Sequence, residues 1–204
     1  MAMVRPRTGS NRGPPPRPFR RGMSLSGRLV SLCALLTLLG VAVRAAEPLS
    51  EYRVKAVFLF NFAQFVEWPS AAPETSAKPF VIGILGKDPF GSDLDAVVRG
   101  ETVAQRPLVV ERFHGVAELQ DCNILYIART EIGHLPQILS ALKGRSILTV
   151  SDADSGDQSG VMIRLVNQNN RIRMQIDIGA AKAANLTISS KLLRPAEIVG
   201  GAQG

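Results

Sequence analysis

The apolar positions that follow residue 49 first recur with the spacing of a helix. This stripe consists of Val54, Val57, Phe58, Phe62, Phe65 and Val66. Ser50 can cap the start of the helix, Glu51 suits its first turn, and Pro69 ends it. The spacing therefore predicts a helix between Ser50 and Pro69 whose apolar stripe packs on the core.

Farther along the chain, short apolar runs alternate with helical segments. The runs are Phe80–Leu85, Leu108–Val110, Asn123–Ile127 and Ile147–Val150. Leu94 and Val98 indicate a short helix after the first run, and Leu135–Lys143 has a helical pattern that Gly144 stops. This alternation is typical of βαβ units and predicts a largely parallel sheet.

The pattern changes near the C-terminus. Val161–Val166 is a predicted strand, Asn167–Asn170 has turn chemistry, and Arg171–Ile178 alternates between polar and apolar residues, which together predict a β-hairpin. Gly179–Ala184 and Leu192–Ile198 are predicted as short helices. The fold class that follows is α/β, a single three-layer domain with a mixed, largely parallel sheet ending in an antiparallel β-hairpin.

Charge divides the chain into a basic leader and a nearly neutral body. Eight of the 24 basic residues are arginines before Ala46, where no acidic residue occurs. The rest of the chain therefore contains 16 basic and all 17 acidic residues, which gives it a net charge of −1. Domains that bind nucleic acid normally keep positive charge on their folded part, and we therefore predict no nucleic-acid partner. Translation from Met1 or from Met23 stays open.

The leader has the pattern of a secretory signal peptide. An arginine-rich stretch precedes Leu29–Val43, an apolar run of 15 residues. We expect cleavage between Ala45 and Ala46, which divides the chain into a signal peptide with an Arg/Pro-rich extension (1–45) and a periplasmic α/β domain (46–204). A membrane anchor is the alternative, although this run is shorter than the about 20 residues that span a bilayer.

The mature part offers few residues suited to catalysis or metal binding. Gly83–Asp88 lacks the spacing of a phosphate-binding loop. Asp152–Asp157 resembles a calcium loop but fails it, because Gly156 is at the fifth ligand position and Ile163 at the twelfth, where a bidentate Glu is required. His114 and His134 are not at metal-ligand spacing, while a site that pairs Cys122 with a histidine in space stays open. We predict no catalytic, metal-binding or cofactor-binding residues, no cofactor and no enzyme activity.

The mature chain is expected to keep one cysteine. Cys33 lies in the leader, so Cys122 alone remains after cleavage. A single thiol forms no internal disulfide. We therefore predict that Cys122 is reduced and buried in its apolar surroundings.

Three residues of the first predicted helix fall off its apolar stripe. They are Phe60, Asn61 and Trp68. Aromatic residues away from the core side of a helix are typical of a pocket or a partner surface, whereas the stripe itself is most simply core. We name these three residues as candidates for partner binding.

Several blocks of the mature chain resemble the YfiR-like family of exported proteins. They are Glu51–Pro69, Ile84–Gly86 with Asp88–Phe90, Cys122–Ile127, Ile147–Asp152, Gly160–Ile163, Arg171–Asp177 and Leu186–Leu193. The first and last blocks are the specific ones, since the strands between them would match many α/β proteins. Together the blocks cover nearly the whole mature chain.

The resemblance implies a periplasmic repressor. Such a protein binds the periplasmic sensor part of a membrane-bound diguanylate cyclase and lowers cyclic di-GMP output, and with it biofilm formation. The resemblance also implies an OmpA-like outer-membrane lipoprotein that sequesters the repressor, and a homodimer. Family members often have a disulfide that joins the positions of Gly83 and Cys122, and the glycine of this chain cannot form it.

A second function stays open beside this one. In α/β folds, small ligands bind at the carboxyl ends of parallel strands. The alternative is therefore a periplasmic small-molecule-binding module with a different membrane partner.

Overall fold

Ten strands form two sheets within the residues that the computed structural model describes, which are 50–69, 78–119, 122–154 and 156–200. The strands are β1 (Val66–Glu67), β2 (Phe80–Leu85), β3 (Thr102–Val103), β4 (Arg106–Phe113), β5 (Ile124–Ile127), β6 (Leu148–Ser151), β7 (Ile163–Gln168), β8 (Arg171–Asp177), β9 (Thr187–Ile188) and β10 (Glu197–Val199). Eight strands lie in the order β10-β8-β7-β6-β5-β2-β4-β3, and β1 pairs with β9 separately. The predicted signal peptide and its cleavage site lie outside the described residues.

Five helices accompany these strands in the described part of the chain. They are α1 (Glu51–Phe65), α2 (Ser92–Val98), α3 (Leu135–Leu142), α4 (Ile178–Ala183) and α5 (Ser190–Leu193), with 3-10 turns at Val116–Glu118 and Arg129–His134. α1 begins where its sequence predicts, because the Ser50 hydroxyl accepts a hydrogen bond from the Arg53 backbone N–H at 3.1 Å. Pro136 lies in the first turn of α3, where its missing N–H costs no helical hydrogen bond.

Five neighbouring strands of the large sheet run parallel. They are β4, β2, β5, β6 and β7. When these five are numbered by chain order, their spatial order is 2-1-3-4-5, one of the common doubly wound arrangements. The winding reverses between β2 and β5, so the carboxyl ends of these two strands form the topological switch point of the sheet.

Helices cover both faces of the sheet and make it the middle of three layers. On one face, Tyr126 of β5 shares a core with Phe62 of α1 and Leu94 of α2. On the other face, Leu125 of β5 shares a second core with Ile138 of α3. Adjacent side chains of one strand thus point to opposite faces of the sheet and pack in two different cores. The prediction of a single α/β domain with a mixed, largely parallel sheet is confirmed.

The predicted β-hairpin is formed by β7 and β8, which pair antiparallel. Asn169 and Asn170 connect them with φ angles of 52° and 61°. A two-residue hairpin turn of this type requires the left-handed region at both positions, and asparagine tolerates it better than most residues. Met174 and Ile176 are buried on the core side, as their alternation predicts.

The helix predicted over Leu192–Ile198 is wrong in its second half. α5 ends at Leu193, and the chain then forms β10, which runs parallel to β8. Pro195 interrupts the helix because it has no N–H to donate. Ile198 and Val199 are β-branched and pair readily along the edge of the sheet.

Strand β4 is longer than its predicted apolar run, because its first residues also pair antiparallel with β3. Thr102 pairs with Pro107 and Val103 with Arg106. This ribbon forms one edge of the large sheet. Its polar residues gave no apolar run from which a strand could be predicted.

Candidate functional site

Helix α1 buries a lysine in its core-facing side. The buried residues of α1 are Lys55, Ala56, Leu59, Phe62 and Ala63. Lys55 is 0% exposed, whereas Val57 of the predicted stripe is 45% exposed. The predicted orientation is therefore wrong at Val57. Lysine is almost never fully buried unless it is paired, so the lysine requires a partner inside the fold.

The partner of Lys55 is Asp152, whose side chain is also fully buried. The Asp152 carboxylate accepts hydrogen bonds from Lys55 Nζ at 2.5 Å and from Tyr126 Oη at 2.5 Å. Arg129 adds two longer ones, from Nη2 to Oδ2 at 3.3 Å and from Nε to Oδ1 at 3.4 Å. Three different side chains thus satisfy one buried carboxylate, which offsets much of the cost of its burial.

Two further carboxylates stand at the rim of this arrangement. Glu51, one turn before Lys55, contacts the same ammonium group and accepts a hydrogen bond from the Asn167 side chain at 2.7 Å. Asp154 pairs with Arg129 Nη1 at 2.7 Å. We call the whole set the Asp152 cluster: Glu51, Lys55, Tyr126, Arg129, Asp152 and Asp154.

The Asp152 cluster lies at the carboxyl edge of the parallel strands. Tyr126 belongs to β5, Arg129 follows β5, and Asp152 follows the neighbouring strand β6. Since parallel strands end at the same edge of a sheet, these residues meet beside the topological switch point. The Arg129 side chain is 45% exposed and the Asp154 carboxylate that it binds is 63% exposed, so solvent reaches the cluster on this side.

The protonation states of the cluster follow from these contacts. Burial alone would raise the pKa of Asp152, but hydrogen bonds from Lys55, Tyr126 and Arg129 outweigh it and hold that pKa below its ordinary value. The hydrogen bond from Lys55 lowers the pKa of Glu51. Burial, together with the nearby Asp152 charge, raises the pKa of Tyr126. At neutral pH the carboxylates are therefore ionised, and Tyr126 keeps the proton that it donates.

An aromatic ring packs against the Lys55 ammonium group and continues into a chain of ring contacts. Lys55 Nζ lies 4.7 Å from the ring centroid of Tyr52, a cation–π distance. Tyr52 packs edge-on against Phe90 at 5.6 Å, and Phe90 packs edge-on against Tyr126 at 4.7 Å. These contacts connect α1 to the segments after β2 and in β5. The arrangement can fix the position of α1 on the sheet.

The predicted partner-binding residues lie apart from this cluster, beyond Lys55 along the chain. Phe60, Asn61 and Trp68 are all half-buried. Phe60 and Trp68 pack against the main core, and the Trp68 ring meets Phe80 edge-on at 4.8 Å. The indole Nε1 of Trp68 is buried and has no hydrogen-bond partner among the described residues. A role for the three in partner binding stays a prediction.

Cys122 is a free, buried thiol, 6% exposed. Burial raises its pKa to about 12, so the reactive thiolate is scarce at neutral pH. A Cβ atom built on Gly83 would lie 2.7 Å from Cys122 Sγ and 2.5 Å from the Phe113 ring. Positions 83 and 122 are thus neighbours, and in this chain the ring of Phe113 occupies the space that a side chain at position 83 would need.

The loop considered for calcium has other contacts. Asp152 is engaged by Lys55, Asp154 by Arg129, and Asp157 by the hydroxyl and backbone N–H of Ser159. Among the described residues, no three His, Cys, Asp or Glu side chains are grouped so that they could hold a metal ion.

The sequence profile of the YfiR/HmsC-like family matches residues 52–197. The chain belongs to the YfiR/HmsC-like family. This confirms the resemblance drawn from the sequence blocks, and it assigns the chain to a family of periplasmic regulators of cyclic di-GMP signalling whose implied partner is the sensor of a diguanylate cyclase. No curated protein matches the chain.

The matched region contains every residue of the Asp152 cluster except Glu51. Within 50–69, 78–119, 122–154 and 156–200, no helix combines the length and the apolar character that crossing a membrane requires. The sequence patterns did not predict the cluster, although Lys55 and Asp152 both lie in blocks that carry the YfiR/HmsC-like resemblance. A lysine among the apolar residues of α1 was the available signal.

Proposed function

We propose that this protein is a periplasmic repressor of a membrane-bound diguanylate cyclase. It binds the periplasmic sensor part of the cyclase and lowers cyclic di-GMP output. The observation that carries this proposal is the YfiR/HmsC-like match over residues 52–197, because the family is regulatory rather than catalytic. A regulator of this kind acts by binding its partner, and a rigid contact surface is sufficient for such binding.

Export and release complete the proposal. Cleavage between Ala45 and Ala46 frees residues 46–204 into the periplasm, where the protein forms a homodimer. An OmpA-like outer-membrane lipoprotein relieves repression by sequestering it. The basic leader with its 15-residue apolar run supports the export step.

The mechanism is a shift between two states of the sensor. A periplasmic domain can change a cytoplasmic reaction only by binding the inactive state of the cyclase more tightly than the active state. The degree of repression is limited by that difference in affinity. Removal of the free repressor by a second partner then restores the active population.

The contact surface that we assign is the outward side of α1 with the residues after it. Val57 is 45% exposed, and Phe60 and Asn61 follow at helical spacing with partial exposure. Half-exposed Trp68 extends this surface beyond the helix. Aromatic and apolar residues of this kind dominate interface energetics. The Asp152 cluster holds α1 in place, which lowers the ordering cost of binding.

The first test is deletion of the gene in the natural host. We expect cyclic di-GMP and surface attachment to rise, and the wild-type gene supplied on a plasmid to reverse both. The control is a second strain that also lacks the partner cyclase, in which deletion changes nothing. Unchanged cyclic di-GMP in a strain that expresses the cyclase would contradict the proposal.

The second test addresses the contact surface. Val57→Ala combined with Asn61→Ala should weaken binding to the purified sensor part by about tenfold or more, since two interface contacts are lost. Gln137→Ala, at an exposed position of α3, is the matched control and should bind normally. Equal affinity of the double variant and the control would exclude this side of α1.

The small-molecule alternative has one observation in its favour. Arg129 is partly exposed at the carboxyl edge of the sheet, beside half-buried Tyr52. A ligand that binds there would raise the melting temperature of the wild-type protein. An Arg129→Gln variant should lose that shift. A reproducible shift, in a host whose cyclic di-GMP ignores the deletion, would favour this function over repression.

A further inference from the structure

The outer side of the β7–β8 hairpin carries three arginines. In the antiparallel register, Arg164 lies opposite Gln175, Val166 opposite Arg173, and Gln168 opposite Arg171. Residues directly opposite each other, and every second residue along a strand, share a face of a sheet. We call this set the arginine face: Arg164, Val166, Gln168, Arg171, Arg173 and Gln175.

The arginine face points away from the core that contains α1. The alternate residues Ile163, Leu165, Met174 and Ile176 are the ones buried in that core. Arg171 and Arg173 are exposed, and Arg164 is half-buried. From strand geometry, Arg173 lies about 7 Å from each of the other two arginines. The result is an array of three cations on one face of the hairpin.

Within the described residues, no acidic side chain forms an ion pair with any of the three arginines. Two acids lie near this face. Asp177 is two residues beyond Gln175 on the same side of β8, and its carboxylate caps α4 by accepting a hydrogen bond from the Ala180 backbone N–H at 2.8 Å. Glu197 of β10 lies opposite Gln175 and accepts its hydrogen bond at 2.9 Å. Two other arginines show the contrast. Arg112 pairs with two aspartates, and so does Arg129.

We propose that the arginine face rests against an anionic phospholipid surface, that of the membrane in which the partner of this protein is embedded. Charge complementarity gives the sign of the partner. The guanidinium group binds phosphate through two parallel hydrogen bonds, and lipid phosphates present such groups across a plane. Three cations spread over two strands of one sheet face suit an extended array of headgroups better than a single acidic segment.

This contact goes beyond the proposed repression, because it does not require the cyclase. A weak attraction to the bilayer raises the local concentration of the domain where a membrane protein displays its sensor. It also orients the domain, with the hairpin toward the lipid. The attraction is electrostatic, so salt should weaken it.

The test is binding to vesicles that contain no protein. Protein purified from the periplasmic fraction of cells expressing the full chain is sedimented with phosphatidylcholine vesicles that contain about one-third phosphatidylglycerol. Removing all three cations as R164Q/R171Q/R173Q should lower the partition coefficient about a hundredfold at low salt. The matched control, R99Q/K143Q/K182Q, also loses three exposed cations, but from scattered positions. It should change partition by less than about threefold.

Three outcomes would overturn the proposal. One is that the wild-type protein stays in solution with these vesicles, and another is that the two triple variants lose binding equally, which would indicate net charge alone. The third is that R164Q/R171Q/R173Q binds vesicles normally yet loses affinity for the purified sensor, which would assign the face to an acidic protein surface. Because the vesicles contain no cyclase, the repressor function can fail while the membrane contact stands.

Discussion

The Asp152 cluster and the arginine face hold their charges in opposite ways. Lys55 and Asp152 are withdrawn from water, and each contacts more than one partner. Arg171 and Arg173 stand in solvent, and no ion pair engages them among the described residues. A buried charge without a partner costs several kcal/mol, whereas an exposed charge costs little whether paired or not.

The two regions also differ in how the chain builds them. Lys55 and Asp152 are 97 residues apart in sequence, so only the completed fold brings them together. The arginines of the hairpin are arranged by local alternation and one two-residue turn. In a cluster of the first kind, the removal of one partner leaves a buried charge with fewer contacts and lowers stability. An array of the second kind leaves its charges available to a partner.

The comparison predicts its largest effect for Asp152→Asn. This change leaves Lys55 buried opposite a neutral amide, and we expect the free energy of unfolding to fall by about 3–5 kcal/mol. Urea unfolding at pH 7 measures the loss. Adding Lys55→Met to the same chain should restore part of it, because the buried ammonium, to which only Glu51 is then ion-paired, is gone.

The control for that experiment is an exposed ion pair. Asp95 pairs with Arg112 at 2.6 Å, and its side chain is 41% exposed. Asp95→Asn should cost less than about 1 kcal/mol. If both single variants lost the same free energy, burial would not be what separates the Asp152 cluster from other ion pairs of the protein.

A packing change that involves no charge should have a smaller effect on stability than Asp152→Asn, and it provides a reference for the size of that effect. In Gly83→Ala, the added methyl group meets the Phe113 ring and Cys122 Sγ. We expect overpacking to cost about 1–3 kcal/mol, measured by the same urea series. Gly115→Ala is the matched control, since nothing lies within 4 Å of its Cβ position. Equal stability of the two variants would mean that Phe113 moves aside freely.

Periodicity predicted much of the fold because most of the burial follows it. The all-buried strand β2, the alternating strand β8 and the Ser50 cap of α1 each have a local signal. Periodicity failed at Lys55 and Val57, because a hydrophobicity pattern counts a lysine as exposed whether or not the fold supplies a carboxylate. The same reason hid Asp152, which lies in an acidic loop that resembles a solvated turn.

Acid should weaken the contacts of the Asp152 cluster. Contacts in the folded state lower the pKa values of Glu51 and Asp152, so the unfolded chain binds more protons in acid. Their contribution is complete above the unfolded pKa values near 4 and is lost as pH falls through the lower folded values. Urea unfolding from pH 7 down to about pH 3 should therefore show decreasing stability.

A milder substitution tests the source of that pH dependence. Glu51→Gln removes one of the two carboxylates and should flatten the decline. Glu101→Gln, an exposed carboxylate outside the cluster, should leave the curve parallel to that of the wild-type protein. A decline that is equally steep in both variants would assign the acid sensitivity to groups other than Glu51.

The smallest effect is expected on the arginine face. R164Q/R171Q/R173Q removes three charges, but it breaks no ion pair among the described residues and leaves the buried side of the hairpin intact. We expect the free energy of unfolding to change by less than about 1 kcal/mol. Lost side-chain packing at half-buried Arg164 lowers stability, and relief of repulsion between neighbouring cations offsets that loss. The urea series used for Asp152→Asn measures it. A loss as large as that of Asp152→Asn would show that these arginines hold the domain together. Their charges would then not be free to act on a membrane, and the distinction between the two regions would fail.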